Sequence, residues 1–164
     1  MARFRRTERL QTDGSGAGAA ARIVEPGPDR DRQTQGEEPL ALIIDDDPDA
    51  RKVVHRYLRS FGLSVLEASD ASSALRQLSQ ITPALICLDV TLPELSGFAL
   101  CEQIRNTAHL QRTPVLMISS RTLPEHRALA EEVGATSYLI RPFTLAQFSQ
   151  EVRTLLGPNS NGAP

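Results

Sequence analysis

With 164 residues, the chain fits one domain plus some unstructured sequence, and two full domains would be crowded. Its composition, 40% hydrophobic and 23% charged, is that of an ordinary globular protein, and a net charge of -2 excludes a bulk electrostatic pull toward nucleic acid or membrane. No apolar run approaches a membrane span, and Ala and Gly, not a leader's apolar core, follow the basic start, so a cytoplasmic protein is expected.

Residues 1–38 carry Gly14, Gly16, Gly18, Pro26, Gly27 and Pro28 and no apolar periodicity. Such a segment buries too little apolar surface to offset its ordering entropy, and it reads as a disordered, solvated tail. The domain is expected over residues 39–156, with a flexible polar tail over 157–164. Leu40–Ile44 is a short apolar run of the kind found in parallel strands covered on both faces. Asp47 is a suitable N-cap and Pro48 a suitable first residue for a helix that presents Val53, Val54, Tyr57, Leu58 and Phe61 before Gly62 stops it. Ser64–Ala68 reads as a second strand, and Asp70 caps a helix burying Ala74, Leu75 and Leu78. Ala84–Leu88 is a third strand that runs straight into Asp89, followed after a loop by a helix over Gly97–Arg105. Val115–Ile118 is the fourth strand, Pro124–Val133 the next helix, and Thr136–Ile140 the fifth strand. Thr144 then caps a last helix packing Leu145, Phe148, Val152 and Leu155. Cys87 and Cys101 fall in apolar patterns and read as reduced core thiols. His55, His109 and His126 read as solvated residues of helices or loops.

Five strand–helix units in about 120 residues make an α/β, doubly wound parallel sheet, because right-handed crossovers put helices on both faces. Ligands of such sheets bind beyond the carboxyl ends of the strands, where the strand order reverses. Those ends carry Asp45, Asp46 and Asp47, then Asp89, then Ser119 and Ser120, then Arg141. Carboxylates converging there repel one another, and a hard divalent cation such as Mg²⁺ relieves the repulsion. A carboxylate beside the cation can attack phosphorus and form an acyl phosphate, while a hydroxyl and a cationic side chain bind the remaining oxygens. Singly, the Asp45–Asp47 triplet reads as a solvated turn, Ser119 as an ordinary strand end and Arg141–Pro142–Phe143 as a turn. Their conjunction is what points to chemistry.

The segments LALIIDDDPDARKVV, PALICLDVTLPELSGFALCEQIR, TPVLMISS and VGATSYLIRPF together resemble the signature blocks of response-regulator receiver domains of two-component systems. The resemblance covers about residues 40–156 and implies a flavodoxin-like, five-stranded sheet of order 2-1-3-4-5 with five helices. By resemblance, Asp89 is the phosphoacceptor and Asp45 and Asp46 form the acidic pocket. Asp46, Asp89 and the Thr91 carbonyl would be the Mg²⁺ ligands, with Asp45 acting through water. Ser119 matches the switch hydroxyl and Tyr138 the switch aromatic, for which a half-buried position is expected. Thr91 and Arg121 sit where side chains overhang the phosphoryl group and tune its lifetime.

The family has a lysine before the proline of the last block, where this chain has Arg141, a wide planar fork in place of a compact ammonium. Lys52, the chain's only lysine, lies a full turn beyond the acids and is not expected to replace it. The family peptide at this proline is cis. The resemblance implies phosphorelay signalling: Asp89 takes a phosphoryl group from a histidine kinase or phosphotransfer partner and the receiver changes its protein contacts. The face of the fourth helix, fifth strand and fifth helix is the expected contact surface. A receiver standing alone is expected, without direct DNA binding and without enzymatic activity beyond Mg²⁺-dependent self-phosphorylation and self-dephosphorylation. The alternatives are a degenerate receiver serving as a constitutive interaction module, with Arg141 paired to the acids, and a Mg²⁺-dependent aspartyl-nucleophile phosphatase using Asp45 and Asp47.

Overall fold

The computed structural model describes residues 38–157. Along them run β1 (Leu40–Ile44), α1 (Pro48–Ser60), β2 (Ser64–Ala68), α2 (Ala71–Leu78), β3 (Leu85–Asp89), α3 (Gly97–Arg105), β4 (Val115–Ser119), α4 (Pro124–Glu132), β5 (Ser137–Ile140) and α5 (Leu145–Leu156). The strands form one parallel sheet in the order β2-β1-β3-β4-β5. The reversal of strand order lies between β1 and β3, which opens a crevice at their carboxyl ends.

Alternation along each strand divides the core in two. Leu42, Ile44, Ile86, Leu88 and Met117 join Ala74, Leu78, Leu100 and Ile104 of α2 and α3 on one face. Ala41, Ile43, Leu85, Cys87, Leu116 and Ile118 join Val54, Leu58, Phe148 and Val152 of α1 and α5 on the other. Both cysteines are buried and free, as expected. Asp47, Asp70, Ser96 and Thr144 cap α1, α2, α3 and α5 with side-chain oxygens, each such cap contributing about 1 kcal/mol. By contrast, the N-cap of α4 is Leu123, which supplies no side-chain hydrogen bond, and α4 buries only Ala130.

The element boundaries differ from the sequence reading by a residue at several ends. β3 starts at Leu85 and takes in Asp89, β4 takes in Ser119, β5 starts at Ser137 and α4 stops at Glu132. These ends are set by ladder bonds to a neighbouring strand, such as the pairing of Asp89 with Ile118, and no local signal announces them. A 3-10 turn at Ala108–Leu110 was not anticipated. Leu145, expected to pack, is exposed at 45%, Val53 of the apolar pattern on α1 is exposed too, and Leu75 and Leu155 are only partly buried. The expected tails lie outside the described residues except for Glu38 and Gly157. Glu38 is held in place, accepting hydrogen bonds from Arg59 Nη1 at 2.8 Å and Ser64 Oγ at 3.0 Å.

The histidines are engaged rather than simply solvated. His55 Nδ1 lies 2.6 Å from Glu67 Oε1, and His109 Nε2 lies 2.9 Å from the Leu78 carbonyl. His126 stacks on Phe98 with ring centroids 6.5 Å apart, and its Nδ1 is buried without a partner among the described residues.

Candidate functional site

Ile44 pairs with Leu88, so Asp45 and Asp89 leave the sheet at the same level on either side of the crevice. Both are buried, Asp45 at 2% exposure and Asp89 at 7%, whereas Asp46 is exposed. One carboxylate oxygen from each lies within 4.8 Å of the others, a cluster of hard oxygen donors suited to Mg²⁺. Asp47 is outside the cluster: its Oδ1 accepts the Asp49 N–H at 2.9 Å and serves the start of α1. Asp47 thus serves the helix start and not the acid cluster.

Local backbone holds the acids in place. Asp45 Oδ1 accepts the Asp47 N–H at 2.9 Å, and the Asp45 carbonyl accepts Arg51 Nη1 at 2.6 Å. Arg51 is itself oriented by Glu67, 3.3 Å from its Nε. Asp89 Oδ2 accepts the Thr91 N–H at 2.7 Å. Behind Asp89, the Gly97 N–H donates to the Val90 carbonyl at 2.9 Å, and a Cβ on Gly97 would lie 2.1 Å from the Asp89 carbonyl oxygen. Gly97 is thus required for α3 to start against the end of β3. A lone glycine at a helix start carried no such signal in the sequence.

Opposite the acids, Arg141 enters from the end of β5, its N–H bonded to the Ser119 carbonyl at 2.8 Å. Its peptide bond to Pro142 is cis. The guanidinium bridges the two buried acids: Nη1 donates to Asp89 Oδ1 at 3.2 Å and Nη2 donates to Asp45 Oδ2. Lys52 is far from this arrangement in function, pairing with Asp49 on the surface of α1 at 2.9 Å. Burial, the first cause, and the Asp45 charge push the Asp89 carboxyl up to about 6; the Thr91 N–H and Arg141 oppose the rise, and Asp46 adds to it. Burial also pushes the Cys87 thiol up to about 12, which keeps it an inert core group.

Ser119 is buried at the end of β4, with its Oγ accepting the Arg121 N–H at 3.0 Å. The Tyr138 hydroxyl donates to the Arg121 carbonyl at 3.0 Å, so one residue's backbone joins Ser119 to Tyr138. Tyr138 is buried rather than half-buried. The Arg127 guanidinium lies 5.6 Å above its ring and donates to its carbonyl at 3.3 Å. Thr91 and Arg121 are exposed beside the acids and Ser119 respectively. The sequence reading did not single out Arg51, Gly97 or Arg127. Arg51 and Arg127 lie on helices, where surface arginines are common and unremarked.

A doubly wound sheet of order β2-β1-β3-β4-β5 with an acid cluster at its switch point is the arrangement found in receiver domains. The family model described as response regulator receiver domain matches residues 41–153, and the chain belongs to that family. The transcriptional regulatory protein PrrA of Mycobacterium tuberculosis is 36% identical over 118 residues, 72% of this chain and 50% of PrrA. The DNA-binding dual master transcriptional regulator RpaA of Synechocystis is 34% identical over 118 residues, 72% of this chain and 49% of RpaA. The chain thus spans about half the length of these curated relatives, and their names lend no support to the expected absence of DNA binding. The chemotaxis protein CheY4 of Vibrio cholerae superposes with a TM-score of 0.69 at 28% identity, over 73% of this chain and 99% of that one. The receiver domain of a sensor histidine kinase from Pseudomonas aeruginosa, described with magnesium coordinated in its active-site cleft, superposes at 0.68 with 26% identity, over 73% and 98%. None of these four relatives supports the degenerate-module alternative. Receivers are signalling modules, and no helix among the described residues is long and apolar enough to cross a membrane.

Proposed function

We propose that this receiver, spanning residues 39–156, is a phosphorelay module whose phosphoacceptor is Asp89. The observation that carries the reading is the buried Asp89 at the strand-order reversal, clustered with Asp45 and Asp46 and faced by Arg141 and Ser119. A carboxylate oxygen of Asp89 attacks the phosphorus of a phosphohistidine on a histidine kinase or phosphotransfer partner. The new O–P bond forms as the N–P bond breaks, and the imidazole nitrogen leaves with the bonding pair. Asp46, Asp89 and the Thr91 carbonyl would hold Mg²⁺, with Asp45 acting through water. Bound there, Mg²⁺ would neutralise charge on the phosphoryl oxygens.

The Ser119 hydroxyl donates to a phosphoryl oxygen, and Tyr138, tied like Ser119 to the backbone of Arg121, registers the movement of Ser119 toward it. The readout surface is the α4–β5–α5 face, a reading supported by the uncapped, sparsely buried α4, whose repositioning costs little. The Arg121 side chain shields the acyl phosphate from water, and Thr91 lies beside it. The module works in the cytoplasm, and any DNA contact belongs to segments other than the receiver.

The test is intact mass after treatment with a small-molecule phosphodonor and Mg²⁺. The wild type should gain one phosphoryl group and Asp89→Asn none. An equal gain in both proteins would refute the assignment.

A further inference from the structure

Of the three clustered acids, two are already engaged. Both Asp45 oxygens accept hydrogen bonds, from the Asp47 N–H and from Arg141, and both Asp89 oxygens do so, from the Thr91 N–H and from Arg141. Asp46 makes no side-chain hydrogen bond or ion pair among the described residues, and it is the exposed member. A single guanidinium leaves the cluster short of cations, since it faces three carboxylates within 4.8 Å of one another. The fork also sets its positive charge against Asp89 Oδ1, on a carboxylate that an oxygen-seeking cation in this cluster would share.

Next to Arg141 is an open, largely apolar cavity of about 420 Å³ between α1 and the turn after β5, lined by Ala50, Val53, Val54, Pro142 and Phe143. Arg141 itself forms part of its wall and is 26% exposed along its side chain. An arginine stem can lie along such apolar surface while its head stays in water. The displaced side chain therefore has somewhere to go.

We propose that Arg141 is a latch that excludes the divalent cation: its fork and a cation on Asp46 and Asp89 cannot both be in place. When a cation is bound, Arg141 leaves Asp89 Oδ1 and its stem moves over the α1 cavity. The longer of the two contacts, at 3.2 Å to Asp89, is the one that gives way first. In the latched state both oxygens of the phosphoacceptor carry hydrogen bonds, and Asp89 is held back from attack until cation is present. The latch rests on reading this cluster as a Mg²⁺ site, and it adds that this chain gates the site with its own side chain.

The test uses the full chain, Mg²⁺ alone and no phosphodonor. The side-chain Nε–Hε resonance of Arg141, assigned by its loss in Arg141→Lys, is followed by NMR through a Mg²⁺ titration beside the backbone amide of Asp89. Both should move with one midpoint. Arg141→Lys keeps the charge but cannot span both acids, and it should bind Mg²⁺ about tenfold more tightly, because one charge-assisted bond no longer has to break. Equal affinity in the two proteins, with the Arg141 resonance unmoved while Asp89 shifts, would overturn the latch and leave the metal site standing. Failure of both proteins to bind Mg²⁺ would overturn the latch together with the metal site.

Discussion

Replacing Asp89 with asparagine should make the metal-free protein more stable at neutral pH, despite removing a hydrogen-bonded side chain. Burial and the Asp45 charge raise the Asp89 carboxyl from 3.8 to about 6. At about 1.4 kcal/mol per pH unit, holding that group ionised costs the folded state about 3 kcal/mol. The sign follows from a raised acid: the folded form binds the proton more tightly than the unfolded chain does. The cost is therefore absent below pH 3.8, grows as pH rises through the interval, and is complete above about 6. Urea unfolding in the presence of a chelator, at pH 8 and again at pH 4, measures it. Asp89→Asn should gain about 3 kcal/mol at pH 8, roughly 10 °C in melting temperature for a domain of this size, and little at pH 4. A variant no more stable than wild type at pH 8 would refute the reasoning. So would an equal gain at both pH values, which would mean packing and not charge.

Three further outcomes are expected. Gly97→Ala drives a Cβ to 2.1 Å from the Asp89 carbonyl and 2.8 Å from Val90 Cα, so it should lower urea stability by about 3 kcal/mol or more. Mg²⁺ at a hundredfold excess over its dissociation constant should stabilise the wild type by about 2.7 kcal/mol in the same assay, and Asp89→Asn markedly less. Arg121→Ala should shorten the lifetime of the phosphorylated form severalfold in a mass-spectrometric time course, and an unchanged or longer lifetime would remove Arg121 from any shielding role.

What was legible in the sequence were the features that act locally. An apolar run ending in acid gave β1 and Asp45, and Asp47, Asp70 and Thr144 announced their helices because capping involves residues two or three positions away. The convergence of Asp45, Asp46, Asp89, Ser119 and Arg141 followed from the doubly wound pattern and the family blocks. Contacts made across the fold were not legible. The need for Gly97 arises from the approach of α3 to the end of β3, and Arg51 acts on Asp45 from the next helix while held by Glu67 on β2. Arg141 was expected to meet the acids, but its bridging of Asp45 and Asp89 together depends on β1, β3 and β5 ending at compatible heights. His126 looked like a surface residue because nothing near it in sequence shows that Phe98 covers its ring.

The central claim is that Asp89 is the residue that carries the phosphoryl group. Borohydride reduces an aspartyl phosphate to homoserine, so peptide sequencing by mass spectrometry, after phosphodonor, Mg²⁺ and reduction, locates the modified position directly. Homoserine at position 89 and at no other acid is the predicted result. Homoserine at Asp45 or Asp46, or its absence from the Asp89 peptide while the intact protein gains a phosphoryl group, would contradict the account.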